Sequence, residues 1–451
     1  MLYGLFSDRH FLKKLFITGL PVAIEIFLIS LLGLVDNFMI GQMGSVTIAA
    51  VGLAFQIMFL LIVFLFGLNS GAAIFHAQYW GKRNLANIHR LLGVSLITGF
   101  AVCGIVSLAV MIFPDVIMRL FTADREVIVI GSSYFRIVGP TYVFMAVGFA
   151  FSFACRCTGH PFLPTLTSLL GVVLNTGLNY LLIFGNYGFP QMGVRGAALA
   201  TVISNATSTI LFVILVYKRD LHIAAPVKEL FDFSRAYVAR VYKVILYSIV
   251  TTMSWGFGMI MYNMIFARIS TEAIAAFTIL SVVSGLAFSF IDGFSTGTSI
   301  VIGNALGENE FDRAYLYGKR SLVLVMLFSL FVATVIFFVA PYIVAVYNIP
   351  DATRLLALRY IQIFSIIYIV KSQISTMVNG ILKSGGDTRF ILIIDPGVMY
   401  VAGVLGGFLA AFVFKVNPLW VYVIMNIEEA IKILIAFPRF ISKKWVNHLA
   451  D

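Results

Sequence analysis

The chain has few charged residues and few cysteines, and each scarcity excludes a class of protein. Asp, Glu, Lys and Arg make up 11% of its 451 residues, whereas hydrophobic residues make up 61%. A soluble domain has about a quarter of its residues charged, so a water-soluble globular protein is excluded. The three cysteines, Cys103, Cys155 and Cys157, are odd in number. Two of them lie near a predicted cytoplasmic helix end, so we expect free thiols rather than a disulfide framework.

The chain also lacks the short motifs of common enzyme classes. Its six histidines show no HExxH or paired-ligand spacing, and it contains no GxSxG, P-loop or GxGxxG motif. A membrane-embedded transferase or hydrolase is therefore disfavoured, because no nucleophile and base pair or metal set is visible. We predict a protein that is not an enzyme and that needs no cofactor.

Long apolar runs are abundant. A bilayer core about 30 Å thick needs roughly 20 helical residues to cross it, and twelve runs reach that length. In the first half the predicted spans are 13–41, 48–80, 88–113, 127–156, 162–185 and 194–217. In the second half they are 238–267, 272–306, 313–340, 353–382, 388–414 and 417–441. The first run is too long for a cleavable signal and carries Pro21, Glu25 and Asp36, so it is predicted as the first helix.

The second half of the chain repeats the first at a constant shift of 226 residues. Of its 37 glycines, six pairs coincide at that shift where roughly one or two would by chance. The pairs are Gly67 and Gly293, Gly71 and Gly297, Gly81 and Gly307, Gly159 and Gly385, Gly171 and Gly397, and Gly177 and Gly403. Six crossings per repeat is an even number, so both halves enter from the same side of the membrane. The predicted fold class is an all-α polytopic membrane protein with twelve transmembrane helices in two pseudo-twofold related six-helix bundles. The N-terminal lobe covers 1–217, an inter-lobe linker 218–237 and the C-terminal lobe 238–451.

Basic residues sort by side, which accounts for the net charge of +11. Most of the 31 Lys and Arg fall on the side of the N terminus. The opposite loops hold seven: Arg119, Arg125, Arg195, Arg268, Arg354, Arg359 and Lys415. The positive-inside rule places both termini and the linker in the cytoplasm, with the chain in the cell (inner) membrane. No nucleic-acid partner is needed to explain the charge.

Several segments resemble one transporter family, multidrug and toxic compound extrusion (MATE). They are Val35 to Gly41 followed by Gly44, Asn175 to Gly185, Gly193 to Thr201, and Lys383 to Thr388. The resemblance covers essentially the whole chain. It implies two six-helix lobes around a central cavity that opens alternately to each side, and export of amphiphilic small molecules in exchange for Na⁺ or H⁺. The expected partners are those substrates and membrane lipid, and we expect a monomer.

The predicted ion-binding site is Asp36, Asn175, Asn179 and Thr201. Asn175 and Asn179 are four residues apart, which places their amides on one helix face. A carboxylate, two amide oxygens and a hydroxyl form an oxygen set that suits a hard cation such as Na⁺. The family pattern supports the same four positions, although some members carry Asp where this chain has Asn179. The alternative is that the asparagines only bond between helices and Asp36 pairs with Arg136.

Other polar residues inside predicted spans are candidates for a substrate or proton relay. Glu25 lies about three helical turns before Asp36 and one turn after Pro21. The alternative for Glu25 is a helix-end carboxylate reached by cytoplasmic water, Lys13 or Lys14. Gln56 is a candidate polar residue of the cavity.

The second lobe carries its own ionisable set. The candidates there are Asp292, Lys371, Asp395 and Glu428, with Glu429 beside them. Charges at membrane depth face protein or water and seek each other, so this set is either a static network or a relay. Glu428 also has Lys432 one turn away, which permits a purely local pair.

Two further alternatives stay open. A flippase of lipid-linked oligosaccharides from a related two-lobe family would need basic residues for pyrophosphate, and Arg136 and Lys371 are the mid-span candidates. The paired glycines are predicted to serve helix packing, because small residues three apart let helices approach closely.

Overall fold

The computed structural model describes residues 8–449, which form helices and connections with no β-strand among them. In that range ten helices are long and apolar enough to cross a membrane, and one bent pair makes an eleventh span. A twelfth long helix, Pro418–Ile441, carries Glu428, Glu429 and Lys432 in its middle. The all-α, twelve-helix fold is therefore confirmed.

We number the long helices in chain order. They are α1 (Arg9–Gly41), α2 (Ser45–Gly81), α3 (Leu85–Ile112), α4 (Arg125–Val138 and Thr141–Cys157), α5 (Phe162–Phe184), α6 (Val194–Lys218), α7 (Arg235–Ile269), α8 (Thr271–Gly307), α9 (Phe311–Ala345), α10 (Asp351–Gly385), α11 (Thr388–Val413) and α12 (Pro418–Ile441). Short helices at Pro114–Arg119, Asn186–Gly188 and Val227–Leu230 lie in connections. Each predicted span coincides with one long helix.

The duplication reappears in the helix boundaries. Five helix pairs begin 226 residues apart, at 9 and 235, 45 and 271, 85 and 311, 125 and 351, and 162 and 388. The last pair begins at 194 and 418, two residues short of that shift. The helix starts thus keep one register over most of both halves, as expected of a duplicated bundle.

The chain packs as two compact units. The N-terminal unit is Ile24–Ile245, and the C-terminal unit comprises 8–23 and 246–449 of the described residues. Helix α1 is therefore divided between the units just after Pro21. Packing places the divisions at 23/24 and 245/246, whereas the sequence placed them at 217 and 238. The difference arises because each unit takes a helix segment from the other half of the chain.

The connection between the two halves packs on the N-terminal unit. His89 on α3 lies 2.6 Å from the Glu229 carboxylate and 2.8 Å from the His222 carbonyl oxygen. Arg90 donates to Asp232 at 2.6 Å. The predicted linker is thus fixed along α3 by charged hydrogen bonds, which are stronger than neutral ones.

Helix α4 bends by 49° between its two parts. Gly139 and Pro140 lie at the break, where proline lacks the N–H that would continue the helical ladder. The Ser107 hydroxyl donates to the Gly139 carbonyl at 2.8 Å. The bend lets α4 supply side chains in two regions of the N-terminal unit.

The second half departs from the first in helix geometry. In α10 the residues Thr376–Leu382 are π-helical, and α11 contains the π-helical stretches Met399–Leu405 and Leu409–Val413. Helices α4 and α5, their counterparts by the 226 shift, are α-helical apart from the bend in α4. π-Helical turns are rare and often accompany functional sites.

In the C-terminal unit, glycines let α8 pack closely on the first half of α1. A Cβ added at Gly293 would lie 2.5 Å from Ala23 Cβ and 2.7 Å from Gly19 O. A Cβ at Gly297 would lie 2.9 Å from Gly19 Cα. This contact is the small-residue packing that the sequence predicted for these positions.

We expect Gly293→Ala to lower the unfolding temperature of the purified protein, because overpacking a close helix contact costs about 1–3 kcal/mol. Gly285→Ala on the same helix is the matched control, since no atom lies within 4 Å of its added Cβ. Thermal unfolding in detergent measures both. Equal unfolding temperatures for the two variants would contradict the packing role of Gly293.

Candidate ion-binding site

Four helices of the N-terminal unit bring the predicted site together. Asp36 comes from α1, Asn175 and Asn179 from successive turns of α5, and Thr201 from α6. The two asparagine side chains are buried, each with 2% of its residue surface exposed. The fourth helix is α4, whose Tyr134 lies beside Thr201 and within electrostatic reach of Asp36.

One chain of hydrogen bonds joins the four predicted residues. The Asn179 amide donates to Asp36 Oδ1 at 2.7 Å and to Asn175 Oδ1 at 2.9 Å. The Asn175 amide in turn donates to Thr201 Oγ1 at 3.4 Å and to Ser204 Oγ at 3.2 Å. The sequence therefore predicted four residues that do lie together, and the structure adds Ser204, which lies one turn after Thr201 on α6.

The Asn179 amide oxygen marks the position of a missing positive partner. It is buried and accepts no hydrogen bond from the described residues. A buried acceptor without a donor is uncommon in proteins and calls for a specific explanation such as a bound ion. Together with Asp36 and Thr201 it supplies the carboxylate, amide and hydroxyl oxygens that a hard cation prefers. The residues present thus fit Na⁺ chemically, and the carboxylate also accepts a proton.

The alternative partner of Asp36 is engaged elsewhere. Arg136 lies 3.5 Å from Asp115, and these two side chains are 60% and 51% exposed. Within residues 8–449 Asp36 forms no ion pair, and its hydrogen bond comes from the neutral Asn179. Its negative charge is therefore not balanced by a fixed basic side chain.

An apolar pocket of about 640 Å³ lies between α1 and α5. Its lining includes Val35 and Tyr180, the chain neighbours of Asp36 and Asn179. The other lining residues are Leu34, Phe38, Met39, Gln42, Phe184 and Asn186. Apolar surface thus borders the polar site along both helices.

Glu25 has a partner that the sequence did not suggest. Its carboxylate lies 2.8 Å from the Arg156 guanidinium, with both side chains less than a tenth exposed. The Ser168 hydroxyl donates to the second carboxylate oxygen at 3.3 Å, and Arg156 stacks over Phe153 at 5.0 Å. Neither water at a helix end nor Lys13 or Lys14 is needed to explain Glu25, because a buried ion pair holds it.

In the C-terminal unit, three of the predicted relay residues lie in one cluster. Lys371 on α10 is 2.9 Å from Glu429, and Asp395 on α11 is 2.8 Å from Lys432. Lys432 is also 3.3 Å from Glu428 and 3.9 Å from Glu429. The local pair of Glu428 and Lys432 is thus one part of a larger network in which Lys432 contacts three carboxylates.

The remaining two candidates lie outside these networks. Asp292 on α8 forms no hydrogen bond or ion pair with the described residues, although it interacts electrostatically with Tyr368. Gln56 is exposed on α2 within the N-terminal unit. The three cysteines are buried and free.

The fold and the buried charges define a class of protein. Apolar helices long enough to cross a bilayer, with ionisable groups paired in their interior, are those of a multi-pass membrane transporter. The family model MatE matches residues 21–181 and 248–409, once in each half of the chain. The chain therefore belongs to the MATE family of transporters.

Known relatives match over most of their length. The probable multidrug resistance protein NorM of Thermotoga maritima is 24% identical, with 96% of this chain and 93% of that protein covered. The multidrug resistance protein MdtK of Photorhabdus laumondii is 22% identical, with 90% and 89% covered. Among solved structures, a mutant of the Vibrio cholerae MATE transporter VcmN superposes with a TM-score of 0.88 at 19% identity, covering 98% of this chain and 99% of that one.

Proposed function

We propose that this protein is an antiporter that exports amphiphilic or cationic organic compounds in exchange for Na⁺ or H⁺ by alternating access. The observation that carries the proposal is the unbalanced Asp36 carboxylate beside the orphaned Asn179 oxygen. Relatives whose names describe multidrug resistance support the substrate class. A carboxylate in a low-dielectric site is costly when bare, so a cation and a proton are alternative ways to stabilise it.

The coupling follows from competition at this site. Asp36, Asn175, Asn179 and Thr201 hold the ion, and Na⁺ is favoured over H⁺ because amide and hydroxyl oxygens add ligands that a proton does not need. If the conformation that binds substrate disturbs the hydrogen bonds of Asn179, substrate and ion lower each other's affinity by the same factor. Ion entry then releases substrate.

The other polar residues have proposed roles that depend on this scheme. Glu25, Gln56, Asp292, Lys371, Asp395 and Glu428 are proposed to serve a substrate or proton relay. We place both termini in the cytoplasm and the chain in the inner membrane as a monomer, with lobes at 1–217 and 238–451.

No observation favours the flippase alternative. Arg136 and Lys371, the basic residues it would use for pyrophosphate, lie within ion-pair distance of Asp115 and Glu429. A phosphate group would first have to displace those carboxylates.

The test is transport by the purified protein in proteoliposomes loaded with a cationic dye. We expect an imposed Na⁺ or H⁺ gradient to drive dye movement against its own gradient, and the Na⁺ gradient to give the larger initial rate. Dye flux should be measured with each gradient alone and with a K⁺ gradient as the control. Dye movement that is independent of all three gradients would rule out the antiport proposal.

A further inference from the structure

The cluster in the C-terminal unit contains an excess negative charge. Its members are two lysines and three carboxylates in direct contact, namely Lys371, Lys432, Asp395, Glu428 and Glu429. With all five ionised, one carboxylate is not balanced. Glu428 is the most deeply buried of the three acids, with a side chain 3% exposed against 11% for Glu429 and 21% for Asp395. An unbalanced charge is costliest where water is most fully excluded.

The surroundings of Glu428 accommodate both its ionised and its protonated form. The Tyr262 hydroxyl on α7 donates to Glu428 Oε1 at 2.9 Å and has a second acceptor, the Met425 carbonyl oxygen, at 3.5 Å. A hydroxyl has one proton to donate and also accepts. When Glu428 is ionised, Tyr262 donates to it. When Glu428 is protonated, Glu428 donates to the Tyr262 oxygen and Tyr262 turns its proton to Met425.

Two features of the cluster point to this arrangement as a built site. Glu428 Oε2 is buried and accepts no hydrogen bond from the described residues, although the Lys432 ammonium lies 3.3 Å away. The π-helical part of α11 brings Gly403 against the same two side chains. A Cβ added at Gly403 would lie 1.9 Å from the Tyr262 hydroxyl oxygen and 3.3 Å from the Glu428 carboxyl carbon. Only glycine therefore leaves room for the contact between Tyr262 and Glu428.

Each helix packed around the cluster contributes few other charges. From α8, Phe288 lies 5.7 Å below the Lys371 ammonium, and Asp292 is the remaining acid. From α10, Lys383 acts electrostatically on Asp395. The tyrosines that face the cluster are Tyr262 on α7 and Tyr422 on α12. These groups leave Glu428 as the acid that combines the deepest burial with a hydroxyl able to reverse its hydrogen bond.

We propose that this cluster is a proton-binding site separate from the Asp36 site, with Glu428 as the residue that takes up the proton. The proton comes from water and returns to water, and no other bond changes. Its uptake leaves two ammonium groups facing two carboxylates, Asp395 and Glu429, so the buried network becomes neutral. The protein would then respond to pH through the C-terminal unit even where Na⁺ occupies the N-terminal one.

Infrared difference spectroscopy on the reconstituted full-length protein tests the proposal without transport, so its outcome is independent of the proposed antiport. The protein is titrated with pH, and the carbonyl stretch of protonated carboxyl groups is followed. The background is Asp36→Asn, which removes the acid of the other site. We expect a band that appears as pH falls, that is lost in Glu428→Gln and that persists in the control Glu272→Gln, an exposed acid of the same unit. A band that survives in Glu428→Gln, or the absence of any band, overturns the proposal.

Two further variants protect the test against a folding defect in Glu428→Gln. Tyr262→Phe removes the donor that stabilises ionised Glu428, so the proton should be retained to higher pH and the band midpoint should move upward. Lys371→Met leaves one ammonium for three carboxylates, so about one additional carboxyl group should be protonated and the band should gain intensity. A static salt-bridge network predicts neither change, and an unaltered band in both variants contradicts the assignment.

Discussion

Asp36→Asn is expected to abolish gradient-driven dye transport while leaving the protein folded. The substitution is isosteric and keeps an oxygen that accepts the hydrogen bond of Asn179, which donates to Asp36 at 2.7 Å. It removes the charge that makes binding of a cation or proton favourable. Since allosteric coupling commonly spans about 5- to 150-fold in affinity, the initial transport rate should fall to less than about a tenth of wild type. The measurement is dye flux in proteoliposomes under the gradient that drives the wild-type protein.

The matched control is Asp115→Asn in the same unit. Asp115 is also an acid, but its side chain is 51% exposed and its partner is the exposed Arg136. Exposed ion pairs contribute about 0–1 kcal/mol, so this variant should transport at the wild-type rate. Transport by Asp36→Asn at the rate of Asp115→Asn would remove Asp36 from the coupling mechanism and leave the fold unaffected.

The helices were predictable because each is decided by local sequence. A membrane helix satisfies its own backbone hydrogen bonds, so a sufficiently long apolar run specifies it without reference to the rest of the chain. The repeat of 226 residues was visible for the same reason, since each half encodes its own helices. The division of α1 between the two units was not predictable. It depends on contacts such as that of Gly19 with Gly293, which join residues far apart in the sequence.

The candidate site divides along the same line. Asn175 and Asn179 were paired correctly because a spacing of four residues determines their common helix face. Asp36 and Thr201 entered through the family resemblance, and the structure brings all four together. Ser204 carried a usable signal, because it lies one turn after Thr201. Tyr134 and Arg156 carried none, because their contacts are fixed by how α4 packs.

The C-terminal cluster shows where depth alone is insufficient. The sequence placed Lys371 and Glu428 at a similar depth, yet Lys371 pairs with Glu429. Adjacent residues on an α-helix point about 100° apart, so two neighbouring acids at one depth face different helices. Lys432 was expected to pair locally with Glu428, and its nearest carboxylate is that of Asp395 on α11. Helix rotation, which the sequence does not give, decides both pairings.

Arg156→Met is expected to destabilise the protein strongly, because it leaves the Glu25 carboxylate buried without a cation. Glu25 and Arg156 lie 2.8 Å apart with side chains 7% and 8% exposed. Removing one partner of such a pair costs about 3–5 kcal/mol, since the remaining charge stays desolvated. The free energy of unfolding, measured by SDS titration of the purified protein, should fall by that amount. Arg136→Met is the control, because Arg136 is 60% exposed and should change the free energy by less than about 1 kcal/mol.

The double variant Glu25→Gln with Arg156→Met separates the loss of the pair from the cost of an isolated charge. A neutral amide and a thioether of similar volume leave no buried charge, so most of the lost stability should return. The Ser168 hydroxyl, which donates to Glu25 at 3.3 Å, keeps an acceptor because the substituted amide retains a side-chain oxygen. A double variant as unstable as Arg156→Met would instead mean that Arg156 acts mainly through its packing on Phe153, 5.0 Å away. Recovery of stability identifies the ion pair as the fastening of the second half of α1 to the N-terminal unit, next to the Asp36 site on the same helix.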